Sequence, residues 1–219
     1  MSTNKIPKKN PIASPLARLV LHIISDFKVF GEFPQPPYVI IANHMSYWDS
    51  LPSTAIIKDA PAILTAKKYQ GRLMGNLVQF FLSPIWIEQA SPDRAALRDA
   101  LATLKAGHPI ALSPEGTRSR SGGLREPLDG AAFLIRKANV AVAPVGFSGT
   151  DRILKDLRPR VEARIGKPFR LPEVKRPGKE QLREDTDRLM CAIAALIPEQ
   201  YHGVYTGHSM IEEMRAIVR

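Results

Sequence analysis

The sequence predicts an α/β fold, a single domain in which a largely parallel central sheet is covered by helices on both faces. Short, nearly continuous apolar runs alternate with helical patterns along most of the 219-residue chain. Strands buried on both faces show such runs, and helices are the usual connections between parallel strands. The length and an apolar content of 44% suit one domain with its own core. In such folds we expect the chemistry at the carboxyl ends of the strands.

The N-terminal region, residues 1–34, predicts a basic arm followed by an amphipathic helix. Lys5, Lys8 and Lys9 occur in the first twelve residues without an acidic residue, which indicates a flexible arm. The helix is predicted from apolar residues that recur at helical spacing, namely Leu16, Leu19, Val20, Ile23, Ile24 and Phe27. We favour packing of this apolar face on the core. The alternative is an interfacial helix whose apolar face enters a lipid surface.

The central region, residues 35–197, predicts six strands and five helices. The strands are Tyr38–Ala42, Ala62–Ala66, Ile85–Ile87, Ile110–Ser113, Val140–Val145 and Val161–Ile165. The helices are Trp48–Ile57, Arg72–Leu82, Pro92–Lys105, Leu128–Lys137 and Gly178–Leu196. Ser91 is expected to cap the third helix, because a cap followed by Pro92 is a common helix start. A polar tail, residues 198–219, is predicted to contain a short helix at Met210–Val218.

The charge of the chain favours an anionic partner. Lysine and arginine number 31 against 21 acidic residues, for a net charge of +10. Nucleic acid is not expected, because no nucleic-acid-binding motif is present and aromatic residues make up only 7% of the chain. No stretch approaches the roughly 18–20 apolar residues of a membrane span, and the N-terminus lacks a secretory signal. Any contact with a membrane is therefore predicted to be made from its surface.

The first candidate site is the stretch NHMSYWD, residues 43–49, which follows a predicted strand. A neutral imidazole at His44 can accept a proton from a hydroxyl near pH 7. A carboxylate at Asp49, bonded to the other ring nitrogen, would fix the tautomer and stabilise the imidazolium. The alternative is structural, with Asp49 as the cap or first-turn acid of the next helix.

The second candidate site is PEGTRSR, residues 114–120, which follows another predicted strand. Gly116 permits close backbone approach, Thr117 offers a hydroxyl, and Arg118 and Arg120 can bind a phosphate. The alternative is a surface turn in which Glu115 pairs with an arginine. Since both stretches follow strands, we expect them to meet in one cleft.

Together the two stretches resemble the PlsC-like glycerolipid acyltransferases, the 1-acylglycerol-3-phosphate acyltransferase family. The family motif N-H-x4-D is matched by Asn43, His44 and Asp49, and its P-E-G-T-R-S motif by residues 114–119. A later V-x-P-V segment is matched by residues 142–145. The resemblance covers about residues 38–170 and includes the order, spacing and strand context of the motifs.

The resemblance implies transfer of an acyl group from acyl-CoA or acyl carrier protein to the hydroxyl of a lysophospholipid, most simply 1-acylglycerol 3-phosphate, which gives phosphatidate. His44 would be the general base and Asp49 its orienting acid. The acceptor-phosphate site would comprise Glu115, Gly116, Thr117, Arg118 and Lys67. Further supporting positions would be Asn43, Arg94, Arg120 and Pro144. Neither a cofactor nor a metal is expected, and the implied location is cytoplasmic, on the inner face of the cell membrane.

Two departures from the family pattern concern the acceptor. Gln89 stands where the family often has arginine, and Leu128 stands where it often has lysine. These changes keep open another acceptor, a lyso-ornithine-type lipid or glycerol 3-phosphate, and also a catalytically inactive lipid-binding protein. The basic stretch at residues 155–171 predicts either a solvated rim or an edge that faces a membrane or an acidic carrier protein.

Overall fold

The computed structural model describes residue 7 and residues 10–57, 59–88, 93–175 and 177–219. The lysines of the predicted arm (Lys5, Lys8 and Lys9), Gln89, and the predicted cap at Ser91 and Pro92 lie outside these residues. Across the part of the chain that is described, no helix combines the length and the apolarity that crossing a membrane requires.

Seven strands form one sheet in the order β1-β7-β6-β2-β5-β3-β4. The strands are β1 (Asp26–Phe30), β2 (Tyr38–Ala42), β3 (Ala62–Ala66), β4 (Ser83–Ile87), β5 (Ile110–Leu112), β6 (Ala141–Ser148) and β7 (Arg160–Ile165). All neighbouring strands run parallel except the β6–β7 pair, which is antiparallel. The predicted α/β class with a largely parallel sheet is therefore confirmed.

Helices pack on both faces of this sheet. They are α1 (Ala13–Ile24), α2 (Ser50–Ile56), α3 (Leu73–Phe81), α4 (Arg94–Lys105), α5 (Gly130–Ala138), α6 (Lys179–Ala194) and α7 (Met210–Val218). On β2, Val39 and Ile41 join a core formed with α4, α5, α6 and α7. Tyr38 and Ile40 point to the other face and join a core formed with α1 and α2. This alternation explains why the strand reads as one continuous apolar run.

Strand β1 was not predicted, because Phe27 fits the apolar period of the preceding helix. The structure ends α1 at Ile24, and Phe27 is a buried residue of β1. The strand pairs with β7, whose residues Arg160–Arg164 lie far away in the sequence. Hydrogen bonds with so distant a partner override the local periodicity.

The favoured orientation of α1 was wrong in part, because half of the six residues of its predicted apolar stripe are exposed. Leu16, Leu19 and Ile23 are between 43% and 67% exposed, whereas the helix buries Ala13, Ala17 and Leu21. Small alanines permit a close approach to α2, where Ser14 Oγ and Arg18 Nε both donate to the Ala55 carbonyl, at 2.9 and 2.8 Å. The period of a helix predicts that it has an apolar face, but not that this face packs on protein.

Helix α4 starts two residues later than predicted. Asp93 is its cap and accepts a hydrogen bond from Ala96 N–H at 2.9 Å. At the other end of the chain, α7 has the predicted bounds, and it buries Ile211, Met214 and Val218 in the main core. The C-terminal residues therefore contribute to the stability of the sheet that carries the site.

Candidate active site

The two candidate stretches meet at one edge of the sheet. Strands β2 and β5 are parallel neighbours, so the residues that follow them emerge side by side. His44 N–H donates to Glu115 Oε1 at 2.9 Å, and Ser119 N–H donates to the His44 carbonyl at 2.7 Å. The convergence expected from the sequence is what the structure shows.

His44 and Asp49 form a hydrogen-bonded pair. The Nδ1 atom of His44 lies 2.8 Å from Asp49 Oδ2. The imidazole is 41% exposed and the carboxylate only 4%. Because Asp49 engages Nδ1, the favoured neutral tautomer carries its proton there, and Nε2 is the nitrogen that can accept a proton. The pair thus has the geometry of a general base with its orienting acid.

Asp49 also closes the turn in which it lies. Its Oδ2 atom accepts the backbone N–H groups of Met45 and Ser46 at 2.7 and 2.8 Å, and the Ser46 hydroxyl accepts Trp48 N–H at 3.2 Å. This arrangement is a capping box at a 3₁₀ turn that leads into α2. The structural and the catalytic interpretations of Asp49 are therefore compatible, because the carboxylate that closes the turn also bonds the imidazole.

Thr150 is a site residue that the sequence reasoning missed. Its hydroxyl donates to Asp49 Oδ1 at 2.5 Å, and both side chains are buried. The residue follows Gly149, which has a φ of 78° and whose added Cβ would meet the Arg160 carbonyl at 2.0 Å. The available signal was its position after a strand. That strand was predicted to end at Val145 but extends to Ser148.

Asn43 joins the catalytic turn to the neighbouring strand. Its side-chain amide exchanges two hydrogen bonds with the backbone of Phe147, at 2.9 and 2.8 Å. These bonds continue the β2–β6 ladder by one step and hold the start of the turn in place. Pro144 is buried within β6 opposite Ile41, so its place is in the sheet.

Glu115 is a buried clamp between two backbone segments. Its Oε1 atom accepts His44 N–H, and Oε2 accepts Arg125 N–H at 3.0 Å. The side chain is 2% exposed, and this burial raises the pKa of Glu115 to about 7 from an ordinary value of 4.5. Both oxygens are thus occupied by backbone donors, in place of the arginine partner considered from the sequence.

Arg118 lies at the open side of the site, flat against an aromatic ring. Its guanidinium carbon is 3.3 Å from the centroid of the Tyr47 ring, a cation–π contact. Tyr47 is itself 61% exposed and belongs to the same turn as His44. Thr117 and Arg120 are exposed on the same loop. The predicted phosphate-binding loop is therefore partly accessible and adjoins the turn that contains His44.

Leu128 lies directly against this loop. Its N–H donates to the Pro114 carbonyl at 2.9 Å, and a Cβ added at Gly116 would be 2.7 Å from Leu128 Cδ1. Gly116 has a φ of 64°, a backbone conformation that favours glycine. The position where the family often has lysine is therefore at the acceptor loop, and here it supplies an apolar side chain.

Lys67 and Arg94 are located on the far side of β5. Lys67 follows β3 and forms an ion pair with Glu88 at 3.1 Å, just after β4. Arg94 is exposed at the start of α4. In the sheet, β5 separates β3 from β2. The structure thus places Lys67 at the end of β3 and Arg94 shortly after β4, on the two strands of the sheet that lie beyond β5 from β2.

The sequence is similar to curated acyltransferases. It is 25% identical over 172 residues to a 1-acyl-sn-glycerol-3-phosphate acyltransferase of Streptococcus pneumoniae, which covers 75% of this chain and 63% of the relative. It is 29% identical over 134 residues to a lyso-ornithine lipid O-acyltransferase of Pseudomonas aeruginosa, with coverage of 61% and 51%. The chain therefore spans between half and two thirds of the length of these two relatives.

The fold is similar to that of a solved acyltransferase. The crystal structure of the 1-acyl-sn-glycerophosphate acyltransferase PlsC from Thermotoga maritima superposes with a TM-score of 0.63 at 22% identity, covering 81% of this chain and 75% of that one. A model of the family named Acyltransferase matches residues 6–148, which is more than half of the chain and contains both motifs of the site. On this match, which includes the paired His44 and Asp49 and the adjoining residues 114–120, the chain belongs to the Acyltransferase family.

Proposed function

We propose that the protein transfers a fatty acyl group from a thioester, acyl-CoA or acyl carrier protein, to the hydroxyl of a lysophospholipid. The observation that carries the proposal is the His44–Asp49 pair, with an exposed imidazole, directly beside the loop that contains Arg118. A general base next to a positively charged loop suits a substrate that has both a hydroxyl and a phosphate. The family membership supports the same reaction class.

In the proposed reaction, His44 Nε2 takes the proton of the acceptor hydroxyl. The oxygen attacks the thioester carbonyl, a new C–O bond forms, and the resulting tetrahedral intermediate expels the sulfur. The thiolate receives the proton from His44, so that ester and free thiol leave and the base is regenerated. Asp49 remains ionised and stabilises the imidazolium between the two proton transfers.

The surroundings of Asp49 support this role. Its carboxylate accepts four hydrogen bonds, from His44 Nδ1, two backbone N–H groups and the Thr150 hydroxyl. Donors fixed in this way prevent the carboxylate from rotating away from the imidazole. Glu115 acts on the same turn from the other side, through the His44 backbone N–H. We assign Glu115 to positioning, because both of its oxygens accept backbone N–H groups and its side chain is buried.

Arg118 is the proposed phosphate ligand, with Thr117 and the Gly116 backbone beside it. A guanidinium stacked on a ring keeps its N–H groups free in its own plane, where they can bind phosphate oxygens in a bidentate manner. Arg120 adds positive charge to the loop. Lys67 contributes at longer range, since its ammonium lies at the β3–β4 end of the sheet.

The acceptor most in keeping with the Streptococcus pneumoniae relative is 1-acylglycerol 3-phosphate, which gives phosphatidate. One observation favours a second candidate, a lyso-ornithine-type lipid. Leu128, which is 54% exposed, lies against Gly116 where the family often supplies a lysine, so the loop has one cation fewer for a phosphate. The Pseudomonas aeruginosa relative is named for that lipid.

We place the protein on the surface of an anionic membrane, the inner face of the cell membrane. The exposed face of α1 presents Leu16, Leu19 and Ile23, and the chain carries a net charge of +10. Such a helix lies in the membrane interface with its apolar face among the lipids. A lipid acceptor would then reach the site from the bilayer.

The test is thiol release from oleoyl-CoA by the purified protein, with and without lysophosphatidic acid. We expect acceptor-dependent release that His44→Ala reduces by about 10²–10⁴-fold, the usual contribution of a general base. His108→Ala is the matched control, because His108 lies in the loop after α4. Release in the His44→Ala variant at the normal rate would refute the assignment of the base.

The acceptor is identified in the same assay. Release with lysophosphatidic acid supports the phosphatidate reaction, whereas release with a lyso-ornithine lipid alone supports the second candidate. Acyl carrier protein replaces CoA in a parallel series. If no donor and acceptor pair gives thiol release, the acyltransferase proposal is refuted and the remaining candidate is a lipid-binding protein with an inactive site.

A further inference from the structure

The loop at residues 153–158, between Thr150 and β7, exposes two leucines. Leu154 is 75% exposed, and Leu157 is 101% exposed, as open as in an extended chain. Single exposed leucines are ordinary on protein surfaces. Two in four residues, on one loop, form an exposed apolar projection.

This 153–158 loop is held in shape by its own contacts. Ile153 is buried in the core at its base. Arg152 pairs with Asp156 through two hydrogen bonds of 2.6 Å, and its carbonyl accepts Lys155 N–H at 2.9 Å. Leu154 has a φ of 66°, which turns the chain sharply at the tip. The leucines are therefore presented to the outside by a fixed turn.

The loop is also attached to α1. Arg158 donates from its guanidinium to the His22 carbonyl at 3.1 Å, in the last turn of that helix. The next residue, Pro159, accepts Asp26 N–H at 2.9 Å. Beside His22 in the sequence is Ile23, which is 67% exposed. The apolar tip of the loop and the exposed face of α1 are thus joined at one point of the surface.

The charges around the tip suit an anionic lipid surface. Lys155 and Arg158 flank Leu157, and Asp156 is neutralised by Arg152. Apolar side chains surrounded by cations bind anionic bilayers, since the leucines enter the interface while the cations meet the head groups. An acidic protein would satisfy the cations but would leave two leucines to be covered by a matching apolar patch.

We propose that the 153–158 loop is a second membrane contact, which inserts Leu154 and Leu157 into an anionic bilayer beside α1. The proposal rests on the proposed function for the choice of a lipid surface as the partner. Thr150, which bonds the catalytic carboxylate, lies three residues before the loop. A loop anchored there would hold the His44–Asp49 pair at the lipid surface, where the acceptor hydroxyl is found.

The experiment measures partitioning of the full chain onto vesicles of phosphatidylglycerol and phosphatidylethanolamine. The double variant Leu154→Ser/Leu157→Ser is expected to lower the partition coefficient by about tenfold or more, because two leucines lose their transfer into the apolar phase. The control is Val204→Ser, since Val204 is 56% exposed but belongs to neither α1 nor the loop. Partitioning equal to that of the parent would overturn the proposal.

A second measurement reports insertion directly. In Leu157→Trp, the new indole is expected to be quenched by brominated lipids, whereas the indole of Val204→Trp is not. Omission of phosphatidylglycerol is expected to abolish the quenching. Equal quenching of both variants, or quenching of neither, would contradict insertion of the loop. A change in the Leu157→Trp fluorescence on addition of acyl carrier protein, but not of vesicles, would also contradict it.

Vesicle binding needs no catalysis, so its outcome is independent of the proposed reaction. The loop variants are expected to retain thiol release with a short-chain, water-soluble acceptor, because none of the changed residues contacts His44 or Asp49. Loss of vesicle binding in a protein that shows no transfer at all would support the loop proposal and refute the acyltransferase. Normal vesicle binding of the loop variants, in a protein that transfers acyl groups normally, would refute the loop proposal and support the acyltransferase.

Discussion

The two halves of the site are built differently. The half that contains Asp49 is buried, and its carboxylate is fixed by four hydrogen bonds from two parts of the chain, residues 44–46 and Thr150. The half that contains Arg118 is open, and that guanidinium rests on a single aromatic ring, Tyr47. In the proposed reaction the first half moves a proton, which requires a geometry that does not vary. The second half is the proposed acceptor site, where Leu128 departs from the family pattern.

This difference predicts two kinds of variant. Changes around Asp49 are expected to lower kcat with little effect on acceptor KM, since they disturb the base after the substrate is bound. Changes around Arg118 are expected to raise the acceptor KM with less effect on kcat. If variants in either half changed kcat and the acceptor KM together, the division of the site into a reacting half and a binding half would be wrong.

The largest effect is expected for Asp49→Asn. An amide can keep the turn closed but no longer stabilises an imidazolium, and it favours the wrong tautomer of His44. We expect kcat to fall by about 10³-fold or more, with the far-ultraviolet dichroism spectrum unchanged. Steady-state kinetics with saturating acceptor measures the effect. Unchanged turnover would make Asp49 only the cap of its turn.

Thr150→Val is expected to have the next largest effect. Valine keeps the shape of threonine but leaves Asp49 Oδ1 without its 2.5 Å donor. Loss of a hydrogen bond to a buried charge is expected to lower kcat by about 10- to 100-fold. Thr150→Ser, which keeps the hydroxyl, is the control and should retain most of the activity.

The kinetic constants separate positioning from mere packing at Thr150. If the hydroxyl positions the Asp49 carboxylate, Thr150→Val should lower kcat, leave the acceptor KM close to that of the parent, and be rescued by Thr150→Ser. Lower stability in urea unfolding with an unchanged kcat would assign Thr150 to the core.

Thr150 also shows what the sequence does not predict. His44 and Asp49 are five residues apart, and residues 114–119 form one continuous motif, so local spacing is enough to find both. Thr150 reaches Asp49 across 101 positions of sequence. Nothing in the sequence near either residue indicates this bond, because it depends on the β2–β6 pairing that brings the two strand ends together.

The same reasoning applies to the fold. The bounds of β2 and β3 were predicted correctly, since each is an apolar run between polar or turn residues. Strand β1 was missed because its partner is β7, more than a hundred positions away. The face of α1 that packs was predicted incorrectly, because the buried Ala13 and Ala17 contribute less to the apolar pattern than the exposed leucines do.

The free energy of unfolding of Glu115→Gln tests the role of Glu115, which connects the backbone at His44 to that at Arg125. Burial raises the pKa of Glu115 from 4.5 to about 7, so the folded protein holds a proton that the unfolded chain releases between these values. The parent should therefore lose stability relative to the variant as the pH rises from 4.5 to 7, on the order of 3 kcal/mol. Urea unfolding at several pH values measures the difference, and a difference that is constant with pH would contradict this account.

The smallest effect is expected for Tyr47→Leu, in the open half. The ring contributes a cation–π contact at an exposed site, worth about 0.5–1 kcal/mol, so the acceptor KM should rise by about two- to fivefold. Tyr47→Phe keeps the ring and serves as the control. Since Tyr47 belongs to the same turn as His44, an equal fall in kcat would mean that the ring supports the base instead of Arg118. A change confined to KM would assign the Tyr47–Arg118 pair, which lies on the same loop side as Leu128, to acceptor binding.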